Sequence, residues 1–524
     1  MASADPEGAE ARTSPPAPGP GPAPDSDADT ALLHQLGYAQ ELWRRMGGFA
    51  NFAVSFTIIS ILSGAITSFD LGLAAAGPGE MGIGWPIVCF FSLLTAMAMA
   101  EIASAYPTAG GLYHWAAILG GVTAGWWTAW LNLIGLVTIM AAIDFGAVEF
   151  FLGWAAAPLG LDLAGLGPGR LQVLKVGLTA ACLFSQGWIN HRGIRLTALL
   201  TSISVWVHMA GALTLTGALF FFARRQPISF LFETINKTGT TFPATSSTLW
   251  ALILGFLMAA YTITGYDASA HTAEETRDAA HKVPWGMVIA VAVSSVFGYA
   301  MVAAITLAIP DLDATLASGR AVVYVMEKGL PPTLNYLLLA IISLAQYFCG
   351  LATVTSMSRM IYAFARDGGL PGSSHWRKVS HRFRTPAAAI WLGTGLACLF
   401  TLYTPIYSTI TCVATIALYL SYGIPPALGL WARGRTWTRP GPWTLGWAGR
   451  PIAGLAVAWI LFVCVVLVQP PNQLALWTLL GCLGALGIYW LVTARASFKG
   501  PPHGIMTAQR REEIRALEGQ LEDH

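Results

Sequence analysis

The chain has 524 residues, of which 55% are hydrophobic and only 11% are charged. Soluble domains carry about 25% charged residues, so this composition cannot cover the water-facing surface of such a long chain. The net charge is +2, and the basic residues form no patch interleaved with exposed aromatics, which argues against a nucleic-acid partner. The chain is therefore expected to lie in a membrane and to contact lipid.

The first 30 residues are rich in Ala, Pro, Gly and Asp and contain no apolar run. This composition predicts a disordered tail, and it is not that of a signal peptide. A short amphipathic stretch, 31–46, opens the main hydrophobic domain, which we place at 31–495.

Hydrophobic segments long enough to cross about 30 Å of hydrocarbon, which takes about 20 helical residues, fill this domain. Continuous apolar runs predict an all-α polytopic membrane protein rather than a barrel. The predicted twelve transmembrane helices span 50–76, 84–105, 124–152, 169–188, 196–222, 248–275, 284–309, 333–365, 386–404, 406–431, 450–468 and 473–494. Pro405 separates the ninth and tenth runs.

The orientation follows from the distribution of Lys and Arg. With the N-terminus inside, the inner segments hold 20 of these residues and the outer ones hold 7. This bias predicts that both termini are cytoplasmic, with 496–524 as a C-terminal tail, and we expect the plasma membrane as the location. Asn236-Lys237-Thr238 is a glycosylation sequon in a predicted outer loop.

Two spans carry glycine with polar neighbours at mid-length. In the first span the residues are Ser60, Ser63, Gly64 and Ala65, and in the sixth they are Thr264, Gly265, Tyr266 and Asp267. Small residues often serve close helix packing, but interruptions at matching places in two halves are typical of a transporter binding site. The pattern predicts inverted repeats at about 50–222 and 248–431, with two further helices at about 450–494.

Ionisable groups inside the spans are candidates for a functional role, because a charge at mid-membrane costs at least about 2.5 kcal/mol. Asp267 follows the glycine of the sixth span, where it can cap a half-helix, meet an ammonium group or carry a proton. His271 lies four residues later and faces the same way in a helix, so the pair can share a proton. His208 lies centrally in the fifth span and titrates near physiological pH.

Other classes of function find no support in the sequence. There is no His/Cys cluster with metal-ligand spacing and no phosphate-binding glycine loop, so we expect no metal, no cofactor and no ATP-driven pumping. No nucleophile–base spacing indicates an enzyme. Among the functions considered, transport of a substrate driven by an ion gradient is the one that the sequence does not exclude.

Three stretches resemble the amino acid–polyamine–organocation (APC) superfamily. They are 100–113 with its Tyr-Pro-Thr-Ala-Gly-Gly, 266–276 with Tyr-Asp-Ala-Ser-Ala-His, and 363–371 followed by Thr385-Pro386. The second stretch is similar to the amino acid/choline transporter branch, which includes GABA permeases and bidirectional amino acid transporters. The resemblance covers about residues 40–495.

This resemblance implies a LeuT-type 5+5 inverted repeat with broken helices 1 and 6. It implies that the substrate carboxylate meets the first break around Ser63, and that Thr264 to Asp267 line the same pocket, with Tyr266 as a gate. It places His208 where some proton-coupled relatives carry a lysine. Thr355 and Ser356 would join first-span carbonyls around a sodium ion, so sodium remains a candidate coupling ion alongside the proton.

The sequence thus predicts a symporter or exchanger of an amino acid or GABA-like amine that works by alternating access. A choline or polyamine permease is one alternative, and a nutrient sensor that binds without transporting is another. The short tails argue against a sensor, which usually carries a long signalling tail.

Overall fold

The computed structural model describes residues 24–403, 407–502 and 508–522, and helices dominate these ranges. The π-helical turns are Glu80–Gly84, Leu219–Ala223 and Trp490–Ala494, and the 3-10 turns are Ile228–Phe232, Ala273–Glu275 and Gly446–Ala448. The α-helices are α1 Pro24–Gln35, α2 Gly48–Ile59, α3 Gly64–Ala76, α4 Trp85–Ala105, α5 Leu112–Gly120, α6 Val122–Ala155, α7 Gly167–His191, α8 Ile194–Ala218, α9 Thr248–Gly255, α10 Leu257–Thr262, α11 Ala268–His271, α12 Ala279–Leu307, α13 Leu312–Ala317, α14 Ala321–Gly329, α15 Pro332–Arg366, α16 Ser373–Trp376, α17 Ala387–Tyr403, α18 Tyr407–Ala432, α19 Gly449–Leu467, α20 Gln473–Tyr489, α21 Arg495–Ser497 and α22 Ala508–Glu522.

Within the described residues, nine helical stretches are long and apolar enough to cross a membrane, and Thr248–Thr262 and Ala387–Tyr403 are shorter apolar helices. The all-α polytopic class predicted from the sequence is confirmed. The helix α7 lies where the fourth span was predicted but is less apolar than the nine. Pro405 lies outside the described residues.

Long helices pack around α6, which contacts α15 and α18 along much of its length. The interior is apolar, and α2 and α3 are enclosed by it, since 89% of the most apolar window in 48–76 is buried. By contrast, only 17% of the corresponding window in 473–497 is buried, so α20 lies at the rim. Central helices of this kind are where a bundle can build a site away from lipid.

The two termini meet at one end of the bundle, called here the termini end. It consists of residues 28–46, 106–114, 272–278, 366–385 and 508–520. The end that carries residues 77–84, 224–247 and 309–331 is called the opposite end. The backbone joins the termini end directly, because Met46 N–H donates to Glu275 O at 2.8 Å and Arg277 N–H donates to Met46 O at 2.9 Å.

The N-terminal tail, 1–30, is the segment that the composition predicts to be disordered. Residues 1–23 lie outside the described residues, but α1 begins at Pro24. The buried Asp29 carboxylate accepts hydrogen bonds from the N–H groups of Asp278, at 2.6 Å, and Ala279, at 3.1 Å, where α12 begins. In the structure a capping carboxylate, rather than an apolar run, joins this segment to α12, and the disorder of 1–30 stays a prediction.

The C-terminal helix α22 is not a free end either, although the sequence indicated a solvated helix. Ile514 is only 3% exposed. The Glu518 carboxylate accepts from the Gln40 N–H at 2.8 Å and pairs with the His34 ring at the same distance. The Arg510 guanidinium donates to Gly37 O. The two tails therefore stabilise each other at the termini end.

The sequon lies at the opposite end, where its side chain is engaged in a turn. The Asn236 amide donates to Thr245 O at 2.5 Å and accepts from the Thr238 N–H at 3.0 Å. Glycosylation of Asn236 stays a prediction, and it would require this turn to open.

Candidate functional site

The first interruption separates α2 from α3. Ser60 ends α2 with a left-handed φ of +33°, and its N–H still donates to Phe56 O at 3.1 Å. A single turn follows, and Gly64 begins α3 with its N–H donating to Ser60 O at 2.9 Å. The sequence predicted this break, and Gly64 proves to start the second half-helix rather than to lie in the gap.

The second interruption separates α10 from α11. After Thr262 the chain leaves the helix, and Gly265 has φ of +87°, a conformation that favours glycine. The Gly265 N–H donates to the Tyr422 hydroxyl of α18 at 3.0 Å, so the freed backbone group is satisfied. A methyl group on Gly265 would collide with the Ile58 side chain of α2.

The two interruptions face each other across a small central cavity. A Cβ added to Gly64 would lie 3.0 Å from Thr262 Cα, so the two chains nearly touch. The cavity measures about 10 Å³, which is near the least that holds one water molecule. Its lining consists of Ile58, Ile59, Ser63, Gly64, Ile139, Ile143, Tyr261, Thr262 and Cys349. No carboxylate lines it.

The predicted substrate residues divide into two groups. Ser63 and Gly64 line the central cavity. The others lie buried around it, namely Ser60, Ala65, Thr264, Gly265, Tyr266 and Asp267. The sequence missed Ile139 and Ile143 of α6 as well as Cys349, because a plain apolar residue in a span carries no signal of which cavity it faces.

Tyr266, predicted as a gate, packs away from the central cavity. It is 1% exposed, and its ring centroid lies 4.9 Å from that of Tyr422. Its carbonyl accepts from the Ser55 hydroxyl of α2 at 2.8 Å. Tyr266 therefore ties the second interruption to α2 and α18 in this conformation.

His208 of α8 lies directly against the first interruption. Its Nδ1 is 2.8 Å from Ser204 O, an atom that only accepts, so Nδ1 carries a proton. Its Nε2 is 2.6 Å from the Ser60 hydroxyl, which donates to it when the ring is neutral. Protonation of Nε2 would make the ring the donor and the Ser60 hydroxyl the acceptor. A change in the charge of His208 therefore changes the hydrogen bonding of Ser60, where α2 ends.

Asp267 lies on the other side of the second interruption, and protein groups engage both of its oxygens. Oδ1 accepts from the Tyr422 hydroxyl at 2.7 Å, and Oδ2 accepts from the Asn132 amide at 3.1 Å. Oδ2 also lies 3.1 Å from His271 Nε2. Asn132 and Tyr422 were missed by sequence reasoning, although an Asn in the middle of a span is itself a signal.

His271 lies between two acceptors. Its Nδ1 is 3.2 Å from Ala109 O, which only accepts, and its Nε2 is 3.1 Å from Asp267 Oδ2. A neutral ring beside an ionised Asp267 can donate to only one of these atoms. One additional proton, on the ring or on the carboxyl group, would allow both hydrogen bonds.

Thr355 and Ser356 make no hydrogen bond to the first interruption among the described residues. The Thr355 hydroxyl donates to Asn190 Oδ1 of α7 at 2.7 Å, and the Ser356 hydroxyl is buried without a hydrogen-bond partner in the same part of the chain. The carbonyl of Ile58, at the end of α2, accepts from the Cys349 thiol at 3.2 Å. A sodium site formed by the two hydroxyls and the α2 carbonyls stays a prediction.

Ion pairs close the termini end below the second interruption. Glu274 pairs with Arg366, at 2.9 and 3.0 Å, and Glu275 pairs with Arg359, at 2.8 and 3.0 Å. Both pairs are bidentate, the geometry that fixes a guanidinium most firmly. Arg359, although charged, lies within the long helix α15 and is fully buried in its pair.

Asp367 links this cluster to the N-terminal segment and to α5. Its carboxylate accepts from the hydroxyls of Tyr38, at 2.8 Å, and Tyr113, at 2.7 Å. Burial raises the pKa of Asp367, and the neighbouring Arg366 charge and the two hydroxyl donors offset part of that rise. The Arg366 guanidinium also lies 3.8 Å from the Tyr38 ring centre.

A larger cleft lies on the other side of the central cavity. It measures about 160 Å³ and includes Thr67 and Asp70 of α3, Glu149 of α6 and Arg320. Its lining residues follow α3 and α6 from the level of Ile66 toward the opposite end.

Two broken helices that face each other inside an all-helical membrane bundle define a permease rather than an enzyme. The chain belongs to the amino acid permease family, within the APC superfamily, because the sequence profile of that family matches residues 46–492. This confirms the resemblance found in the sequence.

Similar proteins cover almost the whole chain. The amino-acid permease BAT1 of Arabidopsis thaliana is 32% identical over 91% of this chain and 96% of its own length. The BAT1 homolog of Oryza sativa subsp. japonica is 33% identical over 90% and 95%, respectively. The GABA-specific permease of Saccharomyces cerevisiae is 28% identical over 85% of this chain and 79% of its own length.

Proposed function

We propose that this protein is a secondary active transporter that moves an amino acid or a GABA-like amine by alternating access, with protons as the coupling ion. The observation that carries the proposal is the pair of facing interruptions, at 60–63 and 263–267, around one central cavity. Its relatives' names, which include amino-acid and GABA permeases, agree with this substrate class.

The proposed architecture is a LeuT-type 5+5 inverted repeat with twelve transmembrane helices. The nine long apolar stretches, the two shorter ones and α7 together supply these twelve. The first five would form one repeat and the next five the other, so that each repeat begins with a broken helix. Matched breaks of this kind are characteristic of such transporters.

The chemistry of the cavity favours a zwitterion. The Gly64 N–H already donates to Ser60 O, but the next N–H groups of α3 lie at the positive end of this half-helix and would meet a carboxylate. The last carbonyl groups of α2 and α10 would meet an ammonium group. Ile58, Ile139 and Ile143 line the cavity, so an uncharged substrate side chain would contact apolar groups once the cavity widens.

The alternative of a choline or polyamine permease fits this lining less well. A cation without a carboxylate needs acidic or aromatic partners, and no carboxylate lines the central cavity. Asp267 is the nearest predicted candidate, and its oxygens are already engaged by Tyr422, Asn132 and His271.

Proton coupling is proposed from the two histidine sites. The charge of His208 sets the direction of its bond to Ser60, and a proton shared by Asp267 and His271 would lie beside the second interruption. A proton at either place changes the contacts of a break, which is what coupling to conformation requires. Sodium is the second candidate ion, although Thr355 donates to Asn190 instead of facing α2.

The proposed orientation has the termini end in the cytoplasm of a cell with this protein in its plasma membrane. The Lys and Arg bias supports it, with 20 residues on the predicted inner side and 7 on the outer. The conformation is then closed toward the cytoplasm, where the Glu274–Arg366 and Glu275–Arg359 pairs lie.

The test of the proposed function is uptake into proteoliposomes. Labelled GABA, the standard amino acids, choline and putrescine are offered with and without imposed proton and sodium gradients. We expect saturable accumulation of an amino acid or GABA, stimulated by a proton gradient. Accumulation of choline or putrescine alone would contradict the zwitterion site, and specific binding without any uptake would indicate a sensor.

A further inference from the structure

Glu80 is a buried acid that the proposed mechanism does not use. It lies in the π-helical turn Glu80–Gly84, between α3 and α4, toward the opposite end. The residue is 1% exposed, and neither of its carboxyl oxygens has a hydrogen-bond partner among the described residues. A carboxylate in such surroundings is costly, so it calls for an explanation.

Three glycines from different segments make the space for this carboxyl group. A Cβ built on Gly84 would lie 2.6 Å from Glu80 Cδ, and one on Gly255, at the end of α9, would lie 2.7 Å from the same atom. A Cβ on Gly72 of α3 would lie 2.9 Å from Glu80 Cγ. The carboxyl group thus occupies space that the side chain of a larger residue would take at each of these three positions.

No charge compensates Glu80. The elements packed against the turn are α3, α4, α9, α12 and the 3-10 turn Ile228–Phe232. Asp70 is bonded to the Ala321 N–H, and Glu233, next to that 3-10 turn, is exposed. The other titratable groups on these elements are Cys89, Glu101, His281, Lys282 and Tyr299, and none of them pairs with Glu80.

An ionised carboxylate without a partner in an apolar interior costs so much free energy that the group takes up a proton instead. We propose that Glu80 is a proton-binding site, which holds its proton as long as α3 and α9 pack around the turn. The ligand is a proton, and the site is formed by Glu80 with Gly72, Gly84 and Gly255.

The site also links a proton to movement of the two broken helices. Gly72 belongs to the second half of the first broken helix, and Gly255 belongs to the first half of the second. When these halves separate, water reaches the carboxyl group and the proton can leave. The proposal that Glu80 is protonated rests on the geometry alone. The proposal that the proton is released during a transport cycle also rests on the proposed function.

The first experiment asks whether Glu80 is protonated, and it needs no transport. Infrared spectra of the purified full-length protein in lipid nanodiscs at neutral pH are compared with those of Glu80→Gln. We expect the variant to lose carbonyl-stretch intensity of a protonated carboxylic acid. The matched control, Glu233→Gln, removes an exposed acid and should lose only carboxylate intensity. Loss of carboxylate intensity in Glu80→Gln would overturn the proposal.

The second experiment asks whether the proton controls opening. Ile235 packs on Gly77 at the end of α3, so a cysteine in its place reports when this region separates. Alkylation of Ile235→Cys is measured at several pH values with Glu80 and with Glu80→Gln, and the parent protein gives the background of native cysteines. We expect the ratio of the two rates to rise several-fold as pH rises, because only Glu80 can ionise. A constant ratio would overturn the link to movement.

Discussion

At the residue scale, the proposed proton coupling rests on two histidines that are held in different ways. His208 bonds one backbone carbonyl and one serine hydroxyl, so it can be neutral or charged without losing either bond. His271 faces a carbonyl and a carboxylate, which are both acceptors, so a neutral ring loses one of the two hydrogen bonds. His208 is therefore the better suited of the two to gain and lose a proton in each cycle.

Replacing His208 with Gln tests this role, because Gln can make hydrogen bonds but does not titrate. We expect proton-driven uptake to fall about tenfold, the size of a lost charged hydrogen bond, with a flattened pH profile and with exchange largely retained. His281→Gln is the control, since that ring is exposed and pairs only with Asp278. If the pH profile of uptake were unchanged in His208→Gln, His208 would have no role in proton coupling.

Tyr422 offers a test of the buried network around Asp267. Its hydroxyl donates to Asp267 and accepts from the Gly265 N–H, so Tyr422→Phe leaves both groups without that partner. We expect a loss of about 1–3 kcal/mol in stability, seen as a lower Tm.

The matched control is Tyr419→Phe, one helical turn away. Its hydroxyl makes only long contacts, at 3.4 Å, with Ser92 and Ala260. Equal Tm values for the two variants would show that the bonds of Tyr422 contribute nothing to stability.

At the scale of elements, the sequence indicated where helices are interrupted but not how the interruptions are held. Polar residues beside Gly64 and Gly265 predicted both breaks, and long apolar runs predicted the spans to within a few residues. The partners that satisfy the breaks, such as His208 for Ser60 and Tyr422 for Gly265, lie more than 140 residues away in the chain. A single sequence carries no signal for such pairings.

Because a single sequence carries no signal for distant pairings, it also did not predict the contacts of the tails or the surroundings of Glu80. Composition predicted a disordered start, yet Asp29 caps α12 across the fold. Glu80 is one acid beside a turn rich in glycine, and only the fold brings Gly72 and Gly255 around it. Local pattern therefore gave the elements, and the contacts between distant elements had to come from the structure.

Gly265→Ala tests the geometry of the second break. The substitution places a side chain at φ of +87° and against Ile58, so we expect a clear loss of stability and of uptake. The measurement is Tm together with initial uptake rate. Gly395→Ala in α17 is the control, because a Cβ there meets nothing within 4 Å and should be neutral or slightly stabilising. If Gly265→Ala behaved like this control, the break would not need its left-handed conformation.

At the scale of the whole molecule, the two ends differ in how they are closed. The termini end is held by the bidentate pairs of Glu274 and Glu275 with two arginines, and the opposite end by packing around Glu80. Such a difference lets one end open while the other stays shut, as alternating access requires.

Arg366→Gln is expected to loosen the termini end, because it leaves the buried Glu274 without its charged partner. Hydrogen–deuterium exchange should then rise in 38–46 and 106–114, which contact this cluster, and stay unchanged in 224–247. Arg377→Gln is the control, as that side chain is exposed and has no ion pair among the described residues. Equal exchange in the two variants would contradict a gate at Arg366.

The central claim is that an amino acid and a proton move together through this protein. It is tested most directly by recording labelled amino acid and internal pH at the same time in proteoliposomes that enclose a pH-sensitive dye. We predict that adding the amino acid outside acidifies the interior in step with uptake, and that His208→Gln uncouples the two signals. Uptake with no change in internal pH, and with no response to an imposed proton gradient, would contradict the claim.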